Sequence, residues 1–149
     1  VLFRSRFNQP FARTPGSGNG WSRGEVPKHA KESQTGDLIC PEGFRFTIEC
    51  KYGYEETDLA KILMGDYKPL DEFLDQARKD SDRIGKQPLL CWRKTRKGFS
   101  WLAFLPVGCY EKVQVAPEKW HPFIHYKGWI GLSLETLLAQ DDSFFFTTC

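Results

Sequence analysis

The segment Asp37-Leu-Ile-Cys-Pro-Glu-Gly-Phe-Arg-Phe-Thr-Ile-Glu-Cys-Lys51 admits few conformations other than a strand, a tight turn and a second strand. The second strand alternates: Phe44, Phe46, Ile48 and Cys50 fall on one face, and Arg45, Thr47, Glu49 and Lys51 on the other. A Glu and a Lys therefore share a face that a core strand would normally keep free of charge. Pro41, Glu42 and Gly43 supply the turn, which predicts a hairpin. In that register Asp37 lies nearly opposite Glu49. Directly opposed side chains on one face have Cβ atoms roughly 4.5–5.5 Å apart. Two carboxylates at that separation repel unless they share a proton or a cation, and a divalent metal is the economical answer. The plain alternative is an exposed hairpin with an ordinary Glu–Lys pair.

At 149 residues the chain is long enough for one domain with a genuine core. We expect a single domain over 1–149, with a basic arm and loop over 6–36 and the core over 37–149. Val1-Leu-Phe-Arg-Ser5 resembles the translation of a sequencing-adapter sequence, so 1–5 is expected to be non-native and the gene product truncated at its N-terminus. No apolar run approaches the ~20 residues needed to span a bilayer, and no signal peptide is visible. The five cysteines are Cys40, Cys50, Cys91, Cys109 and Cys149, an odd number without a Cys-x-x-Cys pair. Three of them sit in apolar strand patterns, where a buried free thiol is the ordinary reading. This points to a reducing cytoplasm.

Residues 1–35 carry six basic side chains (Arg4, Arg6, Arg13, Arg23, Lys28, Lys31) against Glu25 and Glu32, although the whole chain is only +2. A second basic cluster, Arg93-Lys94-Thr-Arg96-Lys97, falls at a strand end and turn. Such loops neutralise phosphates and hold a duplex without reading its sequence; the plain alternative is a solvated loop. Ser17-Gly-Asn-Gly20 lacks the Gly-Lys-Ser/Thr ending and following helix of a nucleotide-cradling loop.

The order of these features resembles the PD-(D/E)xK nuclease superfamily, whose pattern is an Asp on one strand and Glu-x-Lys on the next. Arg13-Thr-Pro-Gly-Ser17-Gly18, then Gly36-Asp37, then Phe46-Thr-Ile-Glu-Cys-Lys51, and a later helix carrying Gln76-Ala77, is similar to the phage and archaeal Holliday-junction-resolvase branch. The resemblance covers roughly Phe11 to Arg93. It implies an α/β, restriction-endonuclease-like fold, with a mixed central β-sheet flanked by helices. It also implies a metal-dependent DNA endonuclease that hydrolyses phosphodiester bonds, most naturally at branched DNA. Asp37, Glu49, Lys51 and Gln76 would be catalytic, with Asp37, Glu49 and the Cys50 carbonyl holding Mg²⁺ or Mn²⁺. Lys51 would position the attacking water or stabilise the transition state. Arg13, Ser17, Arg23, Lys28, Arg93, Lys94, Arg96 and Lys97 would contact DNA. Family members act as homodimers, with no membrane, in the cytoplasm (the host's, for a phage protein). A helix before the Arg-Thr-Pro segment usually adds another acidic residue, and none is expected to fit before Phe11. Two alternatives stand beside this reading: a phage repair or processing nuclease without junction preference, and a catalytically inert DNA-binding phage protein.

The remaining pattern predicts scaffold. Thr57 or Asp58 caps a short helix with Leu59, Ile62 and Leu63 on one side. Pro69 opens a longer helix with Leu70, Phe73, Leu74, Ala77 and Ile84 at helical spacing, and Gln76 lies at the edge of that stripe. Pro88–Trp92 and Phe99–Leu105 read as central strands around Lys97-Gly98. A strand near Ile124–Ile130 and a helix from Ser133 to Gln140, with Ser133 and Thr136 as a capping signal, close the fold. His121 and His125 have a zinc pair's gap, but surface histidines are the ordinary reading. Trp120, Phe123, Tyr126 and Trp129 offer stacking surfaces for bases, against the plainer role of core edge or dimer interface.

Overall fold

In the computed structural model, which describes residues 2–14, 36–53, 58–93, 100–113 and 122–146, the chain alternates strands and helices. It runs α1 (Leu2–Phe7), β1 (Ala12–Arg13), β2 (Leu38–Ile39), β3 (Phe46–Tyr52), α2 (Leu59–Leu63), α3 (Lys68–Asp82) and β4 (Gln87–Arg93). It continues β5 (Leu102–Pro106), α4 (Val107–Tyr110), β6 (Phe123–Tyr126), β7 (Trp129–Ser133), α5 (Leu134–Leu138) and α6 (Asp142–Phe145). Five strands form one sheet in the order β3-β4-β5-β7-β6, and β1 and β2 form a separate antiparallel pair. β3 and β4 are parallel, joined through α2 and α3, and the other pairings are antiparallel. The expected mixed sheet flanked by helices is what the chain builds.

The strand chemistry explains the layering. Leu89, Leu90, Cys91 and Trp92 of β4 are all buried, so this strand is covered on both faces, as its unbroken apolar run predicts. On one face Phe46, Ile48, Leu89, Cys91, Ala103, Leu105, Ile130 and Leu132 pack with Phe3, Phe7, Phe11, Leu137 and Phe145. On the other, Leu90, Trp92, Phe104, Tyr126 and Trp129 pack against Ile62, Leu70, Phe73 and Leu74 of α2 and α3. Pro69 lies in the first turn of α3, where its missing N–H costs nothing.

Several expectations are corrected. The turn at Pro41–Gly43 forms, with the Phe44 N–H donating to the Pro41 carbonyl at 3.2 Å. The strand before it, however, pairs with β1 (Ala12↔Ile39, Arg13↔Leu38) and makes no ladder with β3. The expected strand at Ile124–Ile130 is two strands joined by a two-residue turn at Lys127-Gly128, with φ of 44° and 81°. Those values are the primed-turn geometry that matches strand twist. A helix does fit before Phe11: α1 buries Phe3 and Phe7 and carries no acidic residue. Its Arg6 donates to the Leu138 and Gln140 carbonyls at 2.6 and 2.7 Å and pairs with Asp142 at 2.8 Å. In α2 only Ile62 is buried, while Leu59 and Leu63 face solvent, because a helix this short covers the core with one residue. Asp58 is its cap, accepting from the Lys61 N–H at 3.2 Å, and Thr57 lies outside the described residues. Ser133 precedes α5 without a side-chain capping bond. Among the described residues no helix is long and apolar enough to cross a membrane.

Candidate active site

The site begins at a glycine. Gly36 has φ of +85°, and a Cβ there would lie 2.8 Å from both the Ile48 carbonyl oxygen and Thr47 Cγ2. Only glycine lets the chain pass this close to β3 in that conformation. Asp37 then straddles Glu49: its N–H donates to the Ile48 carbonyl at 2.8 Å, and its Oδ2 accepts from the Cys50 N–H at 2.7 Å. The side chain thus takes a bond that a continuing strand would have made with its backbone, which is why β2 leaves β3 here. The Asp37 carbonyl accepts from the Thr14 N–H at 2.9 Å, anchoring the Arg13 segment beside it. The N–H and C=O of one strand residue point to the same edge, so the Cys50 carbonyl also faces the Asp37 side of β3.

Glu49 and Lys51, two residues apart, project from the sheet face that α3 covers. Glu49 is only 3 % exposed, and its Oε1 lies 2.9 Å from Lys51 Nζ. Lys51 Nζ also donates to Gln76 Oε1 at 3.0 Å and lies 5.4 Å from the centre of the Phe73 ring. Arg13, Asp37, Glu49, Cys50, Lys51 and Gln76 line one cleft of about 600 Å³. Two further α3 residues belong to this environment. Phe73 reads from the sequence as core alone, and Asp80, one turn beyond Gln76, is not among the candidates read from the sequence. Spacing along one helix face is the only signal that could have found them.

Burial is the main reason the Glu49 carboxyl is pushed up from its ordinary range. The Lys51 hydrogen bond opposes that rise, and the charges of Asp37 and Asp80 add to it. Asp80 is likewise pushed up, first by burial and then by Asp37, with Arg83 at 3.6 Å offsetting part of the effect. A buried carboxylate beside a second one, balanced by a single ammonium, is an environment that an added cation relieves. The donors are all oxygen, and two carboxylates with room for water suit Mg²⁺ or Mn²⁺. Among the described residues no three His, Cys, Asp or Glu side chains converge as ligands, so the carboxylate pair and a backbone carbonyl would be the protein's share.

The other candidates fall elsewhere. Arg93 pairs in register with Tyr52, whereas Trp92 pairs with Lys51, so Arg93 is turned to the sheet face opposite Lys51. There it lines a groove with Leu2, Trp101 and Leu134, and its buried Nε has no hydrogen-bond partner among the described residues. Ser17, Arg23, Lys28, Lys94, Arg96 and Lys97 lie outside the described residues, as do His121, Trp120 and Cys149. His125 is exposed on β6, at the sheet edge farthest from β3. Of the aromatic group, Tyr126 and Trp129 are buried and Phe123 is exposed. The four described cysteines are free thiols, and burial pushes Cys40 and Cys50 up to about 12.

Over residues 2–127 the chain matches the family described as "Phage putative PDDEXK endonuclease". The chain belongs to this family. Membership places it in the PD-(D/E)xK nuclease superfamily, whose members generally use divalent metals, and makes DNA its expected partner. No curated protein and no solved structure matches the chain.

Proposed function

We propose that this member of the phage PDDEXK endonuclease family is a Mg²⁺- or Mn²⁺-dependent endodeoxyribonuclease that cuts branched DNA, acting as a homodimer. The observation that carries the metal site is the buried Glu49 carboxylate, with Asp37 across from it and the Lys51 ammonium 2.9 Å away. Asp37 and Glu49 would hold the ion, with the Cys50 carbonyl as a backbone ligand. When bound, the ion supplies Lewis acidity to a water and to a phosphate oxygen. Lys51 holds a fixed positive charge where negative charge grows on the phosphate, and Gln76 aims it from α3. Arg13, at the rim of the same cleft, neutralises a neighbouring phosphate.

The preference for branched DNA rests on the ordered set Arg13-Thr-Pro, Gly36-Asp37, Glu49-Cys-Lys51 and Gln76, which resembles that of the resolvase branch. A C2 dimer would present one such cleft to each of two strands. Cleavage of matched four-way, flap and linear duplexes in Mg²⁺ tests this directly. Faster cutting of the four-way substrate, by symmetric nicks, is expected. Equal rates on all three would leave a processing nuclease without junction preference, and no cutting of any would leave an inert DNA-binding protein.

A further inference from the structure

Three described groups lie close to Lys51 Nζ, and of these Glu49 alone carries a charge. Glu49 Oε1 is 2.9 Å away, Gln76 Oε1 is 3.0 Å away, and the Phe73 ring centre is 5.4 Å away. If Glu49 is a metal ligand, its oxygens are drawn toward a divalent cation that repels the ammonium. The partner that looks strongest without metal is therefore the one metal weakens. The two neutral partners both stand on α3, three residues apart on one helix face, and neither competes for the ion. The Phe73 ring is itself fixed: it is 5 % exposed and meets Trp92 edge-on, with centroids 5.9 Å apart. A ring presents its negative face to a cation within about 6 Å, and desolvation strengthens the attraction.

We infer that Phe73 is a positioning residue for the nuclease reaction, its ring holding the Lys51 ammonium on the substrate side of the cleft when Glu49 is occupied by metal. This rests on the assignment of Lys51 to catalysis above. Mere core packing would make Phe73 sensitive to volume alone, whereas a cation–ring contact makes it sensitive to the electron density of the ring.

Placing 4-fluoro-, 3,5-difluoro- and 3,4,5-trifluorophenylalanine at position 73 drains the ring face while nearly preserving its shape. The single-turnover cleavage rate in saturating Mg²⁺ should fall stepwise, by about tenfold at three fluorines. Mn²⁺ affinity, DNA affinity and melting temperature should stay unchanged. Phe73→Leu, which keeps an apolar filling, should match the trifluoro protein in rate. A flat rate across the series, with Lys51→Ala inactive, overturns the inference and leaves the nuclease assignment standing. Lys51→Ala cutting at the wild-type rate overturns both.

Discussion

A methyl group at position 36 would sit 2.8 Å from the Ile48 carbonyl oxygen on a backbone with φ of +85°, so Gly36→Ala can relax only by moving Asp37. That variant should lose about 1–3 kcal/mol of stability in urea denaturation. It should also bind Mn²⁺ more weakly by calorimetry. Asp37→Asn separates the two effects, because it keeps the backbone bond to Ile48 and removes only charge. It should weaken Mn²⁺ with little change in the urea midpoint, and an unchanged affinity would move the ion away from this aspartate. Strand alternation put Glu49 and Lys51 on one face in the sequence, whereas Asp37 was set opposite Glu49 by a hairpin ladder that does not form, and Gln76 was raised only by the family resemblance. The depth of Glu49, only 3 % exposed, was not readable. It comes from α3 lying over that face, a tertiary fact with no local signature. Phe73 was hidden for the same reason, since an aromatic at core spacing looks alike whether or not a lysine ends above it.

Between elements, the start of α3 is tied to the β6–β7 hairpin through one hydroxyl. Tyr126 Oη accepts from the Tyr67 N–H at 3.0 Å and donates to Asp71 Oδ1 at 2.6 Å, and Lys127 Nζ reaches both Asp71 oxygens at 3.0 Å. Tyr126→Phe leaves a buried N–H and a carboxylate oxygen without that partner, so it should cost about 1–3 kcal/mol, read from the urea midpoint. Burial pushes Asp71 up, but the bonds from Tyr126 and Lys127 outweigh it and hold the carboxyl below the usual range. Its stabilisation is therefore complete above the unfolded carboxylate pKa and is lost as pH falls through the lower, folded one. The stability difference between wild type and Asp71→Asn should shrink over that acidic window, and a constant difference would contradict the pairing. The α3 stripe was legible because fifteen residues display the helical period several times over. The hairpin turn was not, because Lys127-Gly128 lacks the Asn or Asp that usually announces it. Nor was the β1–β2 pairing, where two-residue strands carry no period at all.

For the molecule as a whole, the order β3-β4-β5-β7-β6 puts β3, which carries Glu49 and Lys51, at one edge of the sheet. A bulky duplex can approach that edge without crossing the rest of the fold. Strand order of this kind follows from packing between distant segments, so the sequence pattern supplied the strands β3, β4 and β5 but not the order of the sheet. If Arg13 meets a phosphate at the cleft rim, log K against log[salt] should be steep, at about −0.9 per phosphate contacted. Arg13→Ala should flatten that slope by about one unit, equally for unrelated sequences. A loss confined to one sequence would indicate base readout instead. Whether Lys51 works beside a metal held by Asp37 and Glu49 to hydrolyse DNA is decided by single-turnover cleavage of a four-way junction in Mg²⁺ by wild type and Lys51→Ala, alongside binding of the same DNA. Wild type should cut only with metal present, and the variant should lose at least about a hundredfold in rate with DNA affinity nearly unchanged. Cutting by Lys51→Ala at the wild-type rate would contradict that role for Lys51.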